Sequence, residues 1–140
     1  AGPAMISAEM FEKYALPYEK RIVAAAHSAG LPYALHICGN TDIILELMKQ
    51  SGSDAFELDY QTDIHRIYNL FHDSATFIGN IDPSGVIALG STDDVRKKTL
   101  ELLEIYKNSN RFILNAGCAI PPTTPSANLK AMIETARNFK

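Results

Sequence analysis

Short apolar runs alternate with amphipathic stretches along this whole 140-residue chain, and that alternation narrows the fold more than any single residue does. Residues 33–38, 55–59, 75–79 and 111–115 are too short for helices and end near Gly, Asn or Asp, so they read as strands. The stretches between them repeat their apolar residues at helical spacing. Strands alternating with helices through short loops give parallel strands joined by right-handed crossovers. Four such βα units are visible, with no linker, repeat or low-complexity tract between them. The expectation is an α/β fold over residues 1–140, one domain of four parallel strands and about five helices; four units are half the number in a (β/α)8 TIM barrel, and an open sheet fits the same count.

The helices carry their own punctuation. Residues 8–29 read as a helix capped by Ser7 and ended by Gly30, with Phe11, Tyr14, Ala15, Tyr18, Ile22 and Ala25 as its apolar face. Pro17 lies inside this pattern and predicts a kink or a break at Leu16. Asn40 or Thr41 caps the next helix, with Ile43, Ile44, Leu47 and Met48 as its stripe. Asp63 caps a third, carrying Ile64, Ile67, Leu70 and Phe71. Thr92-Asp93-Asp94 caps a longer one with Val95, Thr99, Leu102, Leu103 and Tyr106, and Ser126 caps the last through Leu129, Met132, Ile133 and Ala136.

The unusual polar residues all fall after a strand and before the next helix: His36, Cys38, Asp59, Asp82 and Cys118. Ligands gather at that edge in open α/β sheets and in barrels alike. Strand side chains alternate, so His36 and Cys38 leave one face and Ile37 the other. An imidazole and a thiolate on one face are half of a transition-metal site, and Cys118, past the last strand, is the chain's only other thiol. Zinc accepts one imidazole and two thiolates, and a catalytic site keeps a fourth position open. A thiol bound there is deprotonated at neutral pH yet stays nucleophilic, which suits alkyl transfer onto sulfur. Asp59, at the rim on the same parity, is the candidate for the fourth position until substrate displaces it. Glu57 points to the face that would line a barrel interior.

Plainer readings stand beside these. Buried cysteine and histidine are common core residues, and Cys38 and Cys118 also fit a redox pair or two free thiols. Asp82 before Pro83 fits a loop cap as well as a catalyst, and Glu57 fits a satisfied interior polar group. His27, His65 and His72 read as solvated helix residues, and Gly79-Asn80 and Gly90 as turns. Gly85 belongs to no phosphate-binding fingerprint. A net charge of −3 with no basic run gives nucleic-acid binding no electrostatic support. No apolar run is long enough to span a membrane, and the first residues lack a signal-peptide pattern. Two cysteines make no disulfide framework and fit a reducing, cytoplasmic setting. Ala1-Gly2-Pro3 reads equally as an expression scar or as natural chain.

Several stretches together carry a family likeness: Met5-Ile6-Ser7 with Phe11 and Leu16-Pro17-Tyr18; His36-Ile37-Cys38-Gly39-Asn40-Thr41; Gly79-Asn80-Ile81-Asp82-Pro83; Gly90 with Val95; and Asn115-Ala116-Gly117-Cys118 with Pro121 and Pro122. With them the chain resembles the C-terminal half of the uroporphyrinogen decarboxylase superfamily, and within it the zinc-dependent corrinoid:coenzyme M methyltransferase branch. The resemblance implies a (β/α)8 barrel more than twice this length, with the first half missing here. It implies His36, Cys38 and Cys118 as zinc ligands and a labile carboxylate ligand nearest Asp59. It also implies transfer of a methyl group from a methylated corrinoid on a partner protein to a thiol such as coenzyme M. Zinc binds the thiol and lowers its pKa, and the thiolate attacks the methyl carbon in line.

Two rival functions follow from the same residues. One is a metal-free decarboxylase of tetrapyrrole carboxylates, which needs basic residues that do not cluster in these loops. The other is a non-catalytic module, zinc-stabilised or corrinoid-docking. Four strands also leave two open sheet edges and an uncovered face, so the chain by itself is expected to self-associate and to lack full activity.

Overall fold

The computed structural model describes residues 2–139, so Ala1 of the opening Ala1-Gly2-Pro3 lies outside the described residues. Four parallel strands, β1 (Ala34–Ile37), β2 (Ala55–Leu58), β3 (Thr76–Ile81) and β4 (Phe112–Ala116), lie side by side in chain order. The helices are α1 (Ala8–Met10), α2 (Leu16–Ser28), α3 (Leu45–Lys49), α4 (Ile64–Phe71), α5 (Thr92–Tyr106) and α6 (Ser126–Asn138). Pairing puts Leu35, Phe56, Phe77 and Phe112 in one row and His36, Glu57, Ile78 and Ile113 in the next, on the opposite face.

The helices cover the aromatic row. Phe56 stacks on Phe71 of α4 with ring centroids 4.4 Å apart, and Tyr106 of α5 stacks on Phe112 at 4.5 Å. Phe11, Phe56, Phe71 and Phe77 are fully buried there, each burial worth about 1.5–3 kcal/mol. A second apolar cluster, built from Ile81, Ile87, Leu102 and Ala116, takes in Leu129 and Met132 of α6. Buried Asn128 of α6 donates to the carbonyls of Ile87 and Gly90 at 2.9 and 2.8 Å, which fixes α6 to the turn that precedes α5.

Several local expectations change. Pro17 does break the first helix, through a π-turn at Phe11–Ala15 that adds one residue to the helical repeat. The added residue rotates everything after it. Leu16 and Val23 therefore go inward, while Tyr14, Tyr18 and Ile22, expected on the core face, are exposed. Ile43 turns outward because its helix starts with a 3-10 turn, Asp42–Ile44, and Leu45 takes its place in the core. Asn40 receives the Asp42 N–H at 2.9 Å, whereas Thr41 is buried against Thr62. Gly79-Asn80 belongs to β3, which runs on to Ile81. Ser91 caps α5 one residue ahead of the expected position, in a reciprocal capping box with Asp94. Pro125 precedes α6, so Ser126 is its first residue rather than its cap, and Ile133 faces solvent.

Candidate metal centre

Three exit loops meet above the uncovered sheet face. The first leaves β1 and turns at Gly39, whose φ of 81° is easy only for glycine. It is tied to the second, the loop after β2. The buried Asp59 carboxylate accepts the Gly39 N–H at 2.9 Å through Oδ2 and the Gln61 N–H at 3.0 Å through Oδ1. Asn40 Nδ2 donates to the Gln61 carbonyl at 3.1 Å, and the Thr41 and Thr62 hydroxyls share a 2.9 Å hydrogen bond. The third loop follows β4. Its Gly117 donates to the Ile81 carbonyl at 2.9 Å and packs so closely on the second loop that an added Cβ would lie 2.5 Å from the Tyr60 amide nitrogen.

This stitching brings together His36, Cys38 and Cys118. Their ligand atoms all lie within 4.8 Å of one another. His36 Nε2 is 2.9 Å from Cys38 Sγ, and the two sulfurs are 3.4 Å apart. A tetrahedral zinc with its usual bond lengths would hold such atoms about 3.6–3.8 Å apart, so the N···S pair would open by about 0.7 Å and the S···S pair by about 0.4 Å to take the ion. One nitrogen and two sulfurs is a donor set that zinc favours, and the three residues fit it. His36 and Cys38 are exposed and Cys118 is half-buried, which leaves the fourth side open. Without an ion, the hydrogen bond with Cys118 is the main cause holding the Cys38 thiol above its usual range, with burial and the Cys118, Asp59 and Glu57 charges adding to it.

The other candidates lie outside this group of three. Asp59 stands beside the thiols with both oxygens engaged by backbone N–H groups. Asp82 Oδ1 accepts the N–H groups of Ser84 and Gly85, each at 2.9 Å, and so caps the turn at Pro83–Ala88. Asp82 also lines a cavity of about 560 Å³ against α5 that contains none of the three donors. A cleft of about 480 Å³ at the donors is lined by His36, Glu57, Asn115, Cys118, Ala119 and Ile120. Of the helix histidines, His27 pairs with Asp54 at 2.8 Å, and half-buried His72 bonds the Tyr68 carbonyl at 2.9 Å rather than standing free.

The sequence reading missed the company His36 keeps. Its Nδ1 lies 3.1 Å from the Glu57 carbonyl and 3.2 Å from Glu57 Oε2. Glu57 Oε1 in turn accepts from Asn115 Nδ2 at 2.8 Å. Strand parity had put Glu57 on the right face. The one-residue register that makes it the direct neighbour of His36 was the signal available.

The model of the uroporphyrinogen decarboxylase (URO-D) family matches residues 1–139. Over 140 residues the chain is 38% identical to the methylcobamide:CoM methyltransferase MtbA of Methanosarcina acetivorans, and equally to that of Methanosarcina mazei. Each match covers all of this chain and 40% of the relative, so the chain spans about two-fifths of their length. A uroporphyrinogen decarboxylase of Synechococcus is 36% identical over 129 residues, 91% of this chain and 36% of that protein. Among solved structures, a methyltransferase from Methanosarcina mazei superposes with a TM-score of 0.86 at 24% identity, over 99% of this chain and 39% of that one. At that identity the likeness speaks for the fold alone: the strands and helices here are those of a TIM-barrel segment.

Proposed function

The chain belongs to the uroporphyrinogen decarboxylase (URO-D) family, and from that premise we propose that it supplies the metal centre of a thiol methyltransferase. The protein so formed would move a methyl group from a methylated corrinoid, carried by a partner protein, to a small thiol of the coenzyme M type. The observation that carries this reading is the convergence of His36 Nε2 with the sulfurs of Cys38 and Cys118 at one open mouth. Those three residues would hold zinc. When bound, zinc supplies a Lewis acid that keeps an acceptor thiol ionised at neutral pH.

The residues around the donors do the positioning. Asp59 clamps the β1 loop through Gly39 and so sets where Cys38 stands. Each of its oxygens accepts one N–H and keeps a further lone pair, so the same carboxylate could serve as a displaceable fourth ligand. Asp82 acts here through its turn. Among the described residues the cleft lining offers an imidazole, a thiol, a carboxylate, an amide and apolar groups but no Lys or Arg. That favours a small thiol over an acidic tetrapyrrole, whose carboxylates would call for cations. A reducing cytoplasm is the setting in which two such thiols stay available. Among the described residues no helix is long and apolar enough to cross a membrane.

Metal analysis of untagged protein tests the first step, with one zinc per chain expected. Zinc-edge absorption before and after adding coenzyme M tests the second, and a gain of one sulfur ligand is expected. A chain that gains no sulfur ligand is a metal-stabilised module and not a methyl-transfer site. Cys118→Ala should weaken zinc binding by about two orders of magnitude or more, because a thiolate ligand is lost from a set of three. Unchanged zinc affinity in that variant would remove the three-ligand assignment.

A further inference from the structure

We infer that Glu57, held in place by Asn115, is a positioning residue: it fixes the proton of His36 on Nδ1 and so presents Nε2 to the metal. Nδ1 faces two acceptors of the same residue, the Glu57 carbonyl at 3.1 Å and carboxylate Oε2 at 3.2 Å. Neither offers a hydrogen, so the ring nitrogen between them must be the donor. In the neutral ring, the form that binds a metal, the lone pair is then on Nε2, which stands 2.9 Å from Cys38 Sγ among the donors. The carboxylate has its own anchor. Asn115, on β4, reaches back over β3 and donates to Oε1 at 2.8 Å, so a relay runs Asn115–Glu57–His36 across the open face.

The remaining positions of that row are Ile78 and Ile113, which offer no competing hydrogen bond. Asn80, beside Asn115 in register, is turned to the Asp59 carbonyl at 3.2 Å. Glu57 thus puts an acidic side chain in contact with the imidazole, and Asn115 holds that carboxylate in place. A carboxylate behind a ligating histidine locks its orientation and raises its basicity, and loss of such partners typically weakens metal binding about 10- to 100-fold. The effect on zinc rests on the function proposed above, whereas the imidazole tautomer does not, so the two can fail separately.

Nitrogen-15 correlation spectra of the metal-free chain read the tautomer directly. Wild type should show His36 protonated at Nδ1, and Glu57→Ala should show a mixture. Zinc titration against a competing chelator should then give about tenfold or more weaker binding in Glu57→Ala. Glu57→Gln, which keeps the shape and removes the charge, should also bind zinc more weakly, at unchanged circular dichroism and Tm. Asn115→Ala should weaken zinc binding in the wild-type background and add nothing in Glu57→Ala, since the relay acts through the carboxylate. A wild-type ring protonated at Nε2 would overturn the inference, and so would a Glu57→Ala variant with unaltered tautomer and zinc affinity. Additive losses in the double variant would reduce both residues to struts and equally overturn it. A chain that binds no zinc but shows the tautomer shift upholds the orienting role while refuting the metal reading.

Discussion

At the scale of single residues, the centre depends on a place where a side chain is missing. Gly117 lets the β4 loop touch the β2 loop, with room for no Cβ between it and the Tyr60 nitrogen. The contact is with backbone, which cannot swing aside as a flexible side chain would. Gly117→Ala is therefore expected to push Cys118 away from Cys38 and to lower zinc affinity several-fold with a smaller effect on Tm. Competition titration and a thermal melt compare the two effects. The thiols give a second residue-scale expectation. In the metal-free chain Cys38 is held above the usual thiol range, chiefly by its hydrogen bond with Cys118, so less of it is thiolate at a given pH. Its alkylation by iodoacetamide should rise at higher pH than that of an unfolded cysteine. Cys118→Ala should bring the profile back down, and a profile indistinguishable between the two proteins would remove that hydrogen bond as the cause.

Between residues and molecule stand the elements, and α5 is the best defined of them. Ser91 Oγ accepts the Asp94 N–H at 3.2 Å, while Asp94 Oδ2 receives the Ser91 N–H at 2.9 Å. Ser91→Ala should lower stability by about 1 kcal/mol at neutral pH, as N-cap losses do. The bonds from the Ser91 hydroxyl and N–H depress the Asp94 pKa below 3.8. A depressed carboxylate adds stability above its unfolded pKa, and that contribution is lost as pH falls through the folded value. The gap between wild type and Ser91→Ala should thus narrow below pH 3.8, a trend that melts taken from pH 7 down to pH 3 would reveal. The same scale explains the misjudged face of the first helix. Tyr14, Tyr18 and Ile22 keep helical spacing, but the π-turn set off ahead of Pro17 changes the phase within the segment.

For the whole molecule, the governing fact is a sheet covered on one side. Helices pack on the row of Phe56 and Phe77, while among the described residues no layer covers the face bearing His36, Glu57 and Ile113, and Ile113 is 54% exposed. β1 and β4 are both open edges. Relatives that this chain covers to 40% have further chain with which to close a barrel. By itself the 140-residue chain should pair with a second copy or aggregate, and it should show no methyl-transfer turnover. A dispersed monomer in light scattering across the micromolar range would refute the first expectation, and steady turnover with methylated corrinoid and coenzyme M would refute the second.

The order of elements, their parallel pairing and the choice of His36, Cys38 and Cys118 as candidate donors follow from the sequence, because period and residue type are local properties of the chain. His-x-Cys places two donors on one face by strand geometry alone. The third donor is different: Cys118 lies 80 residues beyond Cys38, and only the packed loops, with Gly117 against Tyr60, bring their sulfurs to 3.4 Å. The same holds for the Glu57 carboxylate behind His36 and for the backbone N–H groups that the Asp59 and Asp82 carboxylates accept. Sequence spacing sets which face a side chain leaves from. Which acceptor or donor it meets there depends on the register between strands and on how tightly the loops close, and both are settled by packing the whole fold.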